Sequence, residues 1–185
     1  MSASSLSSVL ASAPVVGVSG SRAPSSRSAS ACRWAVGQLA PGASVVTGCA
    51  RGIDGVARLA RPSASVIRAS AFGSGRGALA ARSVAVVRAV APAGPSALWL
   101  AFPSGPCPPG LAPSRSSSAC FSGHGSGTWA SLALAVGLGV PALVLLPPGV
   151  AVPPAWPLVP VPGCAGPGGA WVRFRSAVVQ SSLFF

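Results

Sequence analysis

The sequence predicts an α/β domain built on a mainly parallel sheet with helices on both faces. Three observations carry this. Short apolar runs of strand length alternate with helix-length segments along most of the chain. The runs are apolar throughout, as strands buried on both faces are, instead of alternating with polar residues. Glycine-rich turns stand between several of the runs and the helices that follow.

The elements follow in order. Residues 1–13 are rich in Ser and Ala and read as a disordered N-terminal segment. Pro14-Val15-Val16-Gly17-Val18 is a buried strand, and Ser19-Gly20-Ser21-Arg22 the turn after it. Ser25 or Ser26 can cap a helix running to about Ala40, with Ala29, Cys32, Ala35, Val36 and Leu39 at helical spacing, and Pro41-Gly42 stops it. Ser44-Val45-Val46-Thr47 repeats the strand, Gly48-Cys49-Ala50-Arg51-Gly52 the turn, and Ile53–Ala60 the helix, which ends before Pro62. Ser65–Ala69 is a third strand, Gly75–Val90 a third helix and Ala97–Ala101 a fourth strand. Phe102–Gly127 is a Pro/Ser/Gly-rich loop, Thr128–Leu138 a fourth helix and Val140–Leu146 a fifth strand. Right-handed crossovers between parallel strands place helices on both faces, a Rossmann-like three-layer domain over residues 14–148. Residues 149–185 read as a Pro/Gly-rich extension with edge strands at Trp156–Val159 and Ala170–Phe174.

Composition excludes several chemistries. The chain has 185 residues, with 13 Arg, no Lys, Asp54 as the only acid and His124 as the only His, for a net charge of +12. One carboxylate cannot supply the acid pair of a glycosidase or an aspartic protease. Nor can it build a carboxylate-rich calcium or two-metal site. Asn, Lys, Tyr and Glu are absent, and Gln, His and Asp total four. All seven are encoded with adenine at the second codon position, so the composition reads as a bias of the gene imposed on an ordered strand–turn–helix pattern. Cys32, Cys49, Cys107, Cys120 and Cys164 form no C-x-x-C pair and have a single His for company, which argues against a zinc site and for free thiols in a reducing compartment. No metal or cofactor is expected. No basic residue precedes Arg22, so the charged start of a signal peptide is missing. The uncharged stretch Trp129–Val152 is broken by Gly137, Gly139, Pro141, Pro147 and Pro148, and reads as a helix, a glycine stop and a strand instead of a membrane span. The expectation is a cytoplasmic protein without membrane contact.

The positive charge favours polyanions, and arginine suits bidentate phosphate contacts, although arginine is also the basic residue that this gene composition permits. In a parallel sheet, ligands bind outside the carboxyl ends of the strands, where strand order reverses. Three glycine-rich loops fall at such ends, each before a helix: Gly17–Arg22, Gly48–Gly52 and Gly123–Gly127. Glycines let backbone N–H groups approach an anion, and helix N-termini add positive partial charge. Arg22 and Arg51 could then grip a phosphate. Neither G-x-G-x-x-G nor G-x-x-x-x-G-K-[ST] is present, and the plain alternative is that all three loops are tight turns.

Gly20-Ser21-Arg22 after the first strand and Gly48-Cys49-Ala50-Arg51-Gly52-Ile53-Asp54 after the second resemble the DprA/Smf DNA-processing proteins of the SLOG superfamily, which also contains the LOG phosphoribohydrolases. Phe102-Pro103-Ser104-Gly105 with Arg115, and Gly125-Ser126-Gly127-Thr128, resemble later loops of the family. The likeness spans about Pro14–Pro148. It implies binding of single-stranded DNA or a nucleotide phosphate in a positive pocket at the strand ends, with DNA delivered to a RecA-type recombinase in DNA processing or recombination. A homodimer is compatible with it. The implied pocket residues are Gly20, Ser21, Arg22, Gly48, Arg51, Gly52, Asp54, Arg115, Gly125, Ser126, Gly127 and Thr128. Two alternatives within the superfamily are a nucleotide-sensing module and a LOG-like nucleotide hydrolase. The hydrolase motif G-G-x-G-T-x-x-E carries its catalytic glutamate where this chain has Ser131, and its first glycine where this chain has His124. Binding is therefore preferred to catalysis, and no catalytic residue is assigned.

Single residues keep two readings. Asp54 is either a catalytic acid or, by preference, a residue at a helix start that bonds backbone donors and pairs with Arg51. His124 is a general acid or base, a phosphate contact or a plain loop residue. Trp129 is the best candidate for stacking on a base, whereas Trp34, Trp99 and Trp171 are assigned to the core. Cys49 is a low-pKa thiol near Arg51 or, by preference, a small packing residue.

Overall fold

A computed structural model describes residues 6–123, 125–166 and 169–174. In chain order its elements are α1 (Leu6–Ser12), β1 (Val15–Gly20), α2 (Ser26–Gly37), β2 (Ser44–Gly48), α3 (Ile53–Ala60), β3 (Ser65–Ile67), α4 (Gly75–Val90), β4 (Ala97–Phe102), α5 (Ser117–Cys120), α6 (Gly127–Gly137), β5 (Ala142–Leu146), β6 (Leu158–Gly166) and β7 (Gly169–Phe174). The seven strands form one sheet in the order β3-β2-β1-β4-β5-β7-β6. β1 to β5 pair in parallel, and β7 runs antiparallel to both β5 and β6. The fold is thus α/β with a mainly parallel sheet in a Rossmann-like three-layer arrangement. The chain moves outward from β1 to β3, then returns to the other side of β1 as β4 and β5. The order therefore reverses between β1 and β4.

Alternation along each strand sorts side chains into two cores. Val16, Val18, Val45, Leu98, Leu100 and Phe102 pack with residues of α1, α2 and α3. Val46, Trp99, Ala101 and Val144 pack with α4 and α6. Both faces being covered is the reason the strands read as unbroken apolar runs. Each fully buried side chain of Leu size contributes roughly 1.5–3 kcal/mol through its removal from water.

The termini depart from the sequence reading. Residues 6–12, expected to be disordered, form α1. Leu6 and Leu10 stand four residues apart on one face and are 7% and 0% exposed, so a short apolar stripe outweighs a Ser/Ala-rich composition. The C-terminal segment belongs to the sheet: β7 lies between β5 and β6, with Val172 opposite Val144 and Trp171 opposite Leu145. Trp171 also meets Phe102 edge to face at 5.6 Å. β6 takes the outer edge, the place in a sheet where a strand proline such as Pro160 is tolerated.

Smaller differences have local causes. α2 ends at Gly37, short of Ala40. β3 stops at Ile67 because Ala69–Phe72 turns into a 3-10 helix. The loop after β4 holds the short helix α5, capped by the Ser116 hydroxyl. Trp34, assigned to the core, is 42% exposed, because Cys32, Ala35 and Val36 carry the inward face of α2. Trp99 and Trp171 are buried as expected. No helix among the described residues is long and apolar enough to cross a membrane.

Candidate functional site

A cleft of about 600 Å³ opens at the carboxyl end of the sheet, beyond the paired ends of β1 and β4, where strand order reverses. Ser19, Gly20, Ser21 and Arg22 of the first turn line one side, with Gly48 and Ala50 of the second. The start of α6 (Gly125, Ser126, Gly127, Thr128 and Ser131) lines another. The α4 residues Leu79, Arg82 and Val86 close it, together with Trp99.

Close packing fixes these walls. Trp99 is the register partner of Gly17, and a Cβ there would collide with the indole ring. The same indole donates from Nε1 to Ser19 Oγ at 3.1 Å. The first turn is tied on both sides: Ser21 N–H donates to Phe102 O at 3.0 Å, and Ile53 N–H donates to Ser21 O at 3.0 Å. Gly52, at φ 78°, lets the start of α3 approach so closely, since any Cβ there would strike the Ser21 and Arg22 backbone. Arg58 laces the second turn, donating from Nη1 to Gly48 O at 2.7 Å and Ala50 O at 3.0 Å. Cys49 Sγ accepts from Ala69 N–H at 3.2 Å, so this side chain ties the turn to the following 3-10 helix. At α6, the Ser126 hydroxyl accepts from Trp129 N–H at 3.4 Å.

The charged centre of the cleft is a buried pair. Arg82 Nη1 donates to Asp54 Oδ2 at 2.7 Å, and the two side chains are 11% and 8% exposed. The same oxygen accepts from Ala50 N–H at 3.2 Å. Gly48 makes room for the pair, because a Cβ there would collide with the Arg82 guanidinium. Burial lifts the Asp54 carboxyl above its ordinary value, against the opposing pull of Arg82. Burial, with the Asp54 charge adding to it, pushes the Cys32 thiol up to about 12. Arg82 Nε is buried with no hydrogen-bond partner among the described residues.

Of the residues expected at the site, Gly20, Ser21, Arg22, Gly48, Asp54, Gly125, Ser126, Gly127 and Thr128 line the cleft. Arg51 and Arg115 are exposed and outside its lining, and Gly52 supports it from the start of α3. His124 lies outside the described residues. Asp54 bonds a backbone donor as expected, but its ionic partner is Arg82, not Arg51, because α4 packs against β1 and β2 and delivers a guanidinium to it. Trp129 cannot offer a stacking face: it is 1% exposed, donates from Nε1 to Gly105 O at 3.0 Å and packs edge to face on Trp156. Ser131 donates to Gly127 O at 2.8 Å, a bond internal to the helix.

Sequence reasoning missed Arg82. A signal was present: Ala78 and Val86 flank it at i−4 and i+4, which puts Arg82 on the apolar stripe of α4. An arginine on a buried stripe needs an acid or a ligand, and the chain has one acid. No protein-family model, curated protein or solved structure matches the chain.

Proposed function

We propose that the protein binds a phosphate group of a nucleotide or of single-stranded DNA in the cleft between β1, β4 and α6. One observation carries the reading: two glycine-rich turns and the start of α6 converge at the point of strand reversal, with Arg22 and Arg82 in the lining. Helix N-termini and glycine-rich turns present N–H donors to an anion, and the guanidinium groups supply the counter-charge. The volume suits one nucleotide. Arg51 is exposed, next in the chain to Ala50 of the lining, and is open to a longer strand.

The reading is of binding, not catalysis. The Ser131 position has no carboxylate, and the carboxylate in the cleft is already held by Arg82 and Ala50. Fluorescence anisotropy with an oligothymidylate, repeated over a salt series, tests it. The double variant R22A/R51A should bind more weakly and flatten the salt dependence by roughly 0.7 in log–log slope per lost phosphate contact. Unchanged affinity and slope would exclude these arginines as phosphate contacts. Thermal stabilisation by adenosine 5′-monophosphate, with none by the oligomer, would favour a mononucleotide ligand.

A further inference from the structure

We propose that Arg82 is the anion receptor of the cleft and that Asp54 is its internal stand-in for phosphate, holding the guanidinium while the cleft is empty and yielding it when a phosphate group enters; this rests on the phosphate-binding reading above. Arg82 lines the cleft although it is only 9% exposed. A guanidinium carries five N–H donors in a fork suited to two acceptor oxygens. Here it meets Asp54 through one nitrogen and one oxygen, and its buried Nε has no partner among the described residues. Arg82 is thus held, but not satisfied.

The acceptor is equally stretched, because Asp54 Oδ2 serves both Arg82 and the Ala50 N–H. An entering phosphate brings several oxygens and can engage the fork in bidentate fashion. Asp54 keeps its bond to Ala50 and its place in the first turn of α3, where a negative charge is favourable. The other charges near Asp54 do not compete for the role. Arg58, on the same helix, is committed to two carbonyl oxygens, and Cys32 of α2 is an unionised thiol at neutral pH. An anion without further contacts must displace a carboxylate unaided, so the pair selects ligands that also bind elsewhere in the cleft.

Isothermal titration calorimetry with adenosine 5′-monophosphate, and with adenosine as the phosphate-free control, tests the proposal on wild type, D54N and D54N/R82Q. D54N removes the competing charge and keeps an oxygen for Ala50. It should bind the monophosphate at least about tenfold more tightly, the size of one charge contact at about 4 Å even when screened nearly as in bulk water. D54N/R82Q should fall below wild type, and adenosine affinity should be the same in all three. Equal or weaker monophosphate binding by D54N, beside a wild type that binds, overturns the proposal and leaves the phosphate-binding reading standing. A wild type that binds neither monophosphate nor oligothymidylate overturns both. If D54N does not fold, R82K decides: a point charge lacking the fork should weaken monophosphate binding with adenosine unaffected, and unchanged binding overturns the proposal.

Discussion

Gly48→Ala probes the coupling between the end of β2 and the buried pair. Gly48 does not have positive φ, so alanine brings no backbone strain. Its Cβ would instead occupy the space of the Arg82 guanidinium and stand 2.5 Å from Asp54 Oδ2. The guanidinium is the free end of a flexible side chain and can retreat toward the cleft, which breaks its 2.7 Å bond to Asp54. A hydrogen bond to a charged group contributes about 1.5–3 kcal/mol. Replacing glycine within a strand returns about 0.5–1 kcal/mol of chain entropy. The net loss is about 0.5–2.5 kcal/mol, or a fall of about 1–10 °C in Tm for a chain of this size. Thermal unfolding followed by circular dichroism measures it, in wild type and in D54N/R82Q. In the second background the charge pair is gone and R82Q has a shorter side chain, so most of the loss should vanish, leaving a coupling of about 1 kcal/mol. Equal losses in both backgrounds, or none in either, would refute this reasoning.

Two further outcomes follow from the structure. Because burial raises the folded-state pKa of Asp54 above the ordinary 3.8, the folded protein holds a proton that the unfolded chain has released between those two values. The Asp54 contribution to stability is therefore largest below 3.8 and falls as pH rises through the raised value. Urea unfolding across that window should show this decline in wild type and a flatter profile in D54N. Leu10→Ala should cost about 2–5 kcal/mol in urea unfolding, because Leu10 is fully buried, and a loss under about 0.5 kcal/mol would mean that α1 does not pack on the domain.

The legible parts of the fold were those governed by local pattern. β1, β2, β4 and β5 are apolar on both faces, and the turns after β1 and β2 are glycine-rich, so the strands along the chain and a cleft at their carboxyl ends followed from short stretches. α1 was hidden by composition, since its two leucines are outnumbered by Ser and Ala. The insertion of β7 between β5 and β6 is a long-range pairing that no local signal specifies. At the site, Gly20, Gly48 and Gly52 were legible because close approach demands them. Arg51, three residues before Asp54, is the partner that the local sequence suggests, yet the partner is Arg82, 28 residues along the chain on a different element. Trp129 was misjudged for a similar reason: its place near the cleft was legible, but its inward direction depends on Gly105 and Trp156, which only the folded chain brings to it.

The most direct measurement of the central claim is an amide ¹⁵N–¹H NMR titration with adenosine 5′-monophosphate. If phosphate binds between β1, β4 and α6, the largest shifts should fall on Gly20, Ser21, Arg22, Gly48 and the 125–128 turn, with little change along β6 and β7. Absence of shifts at saturating ligand, or shifts centred away from these turns, would contradict the account.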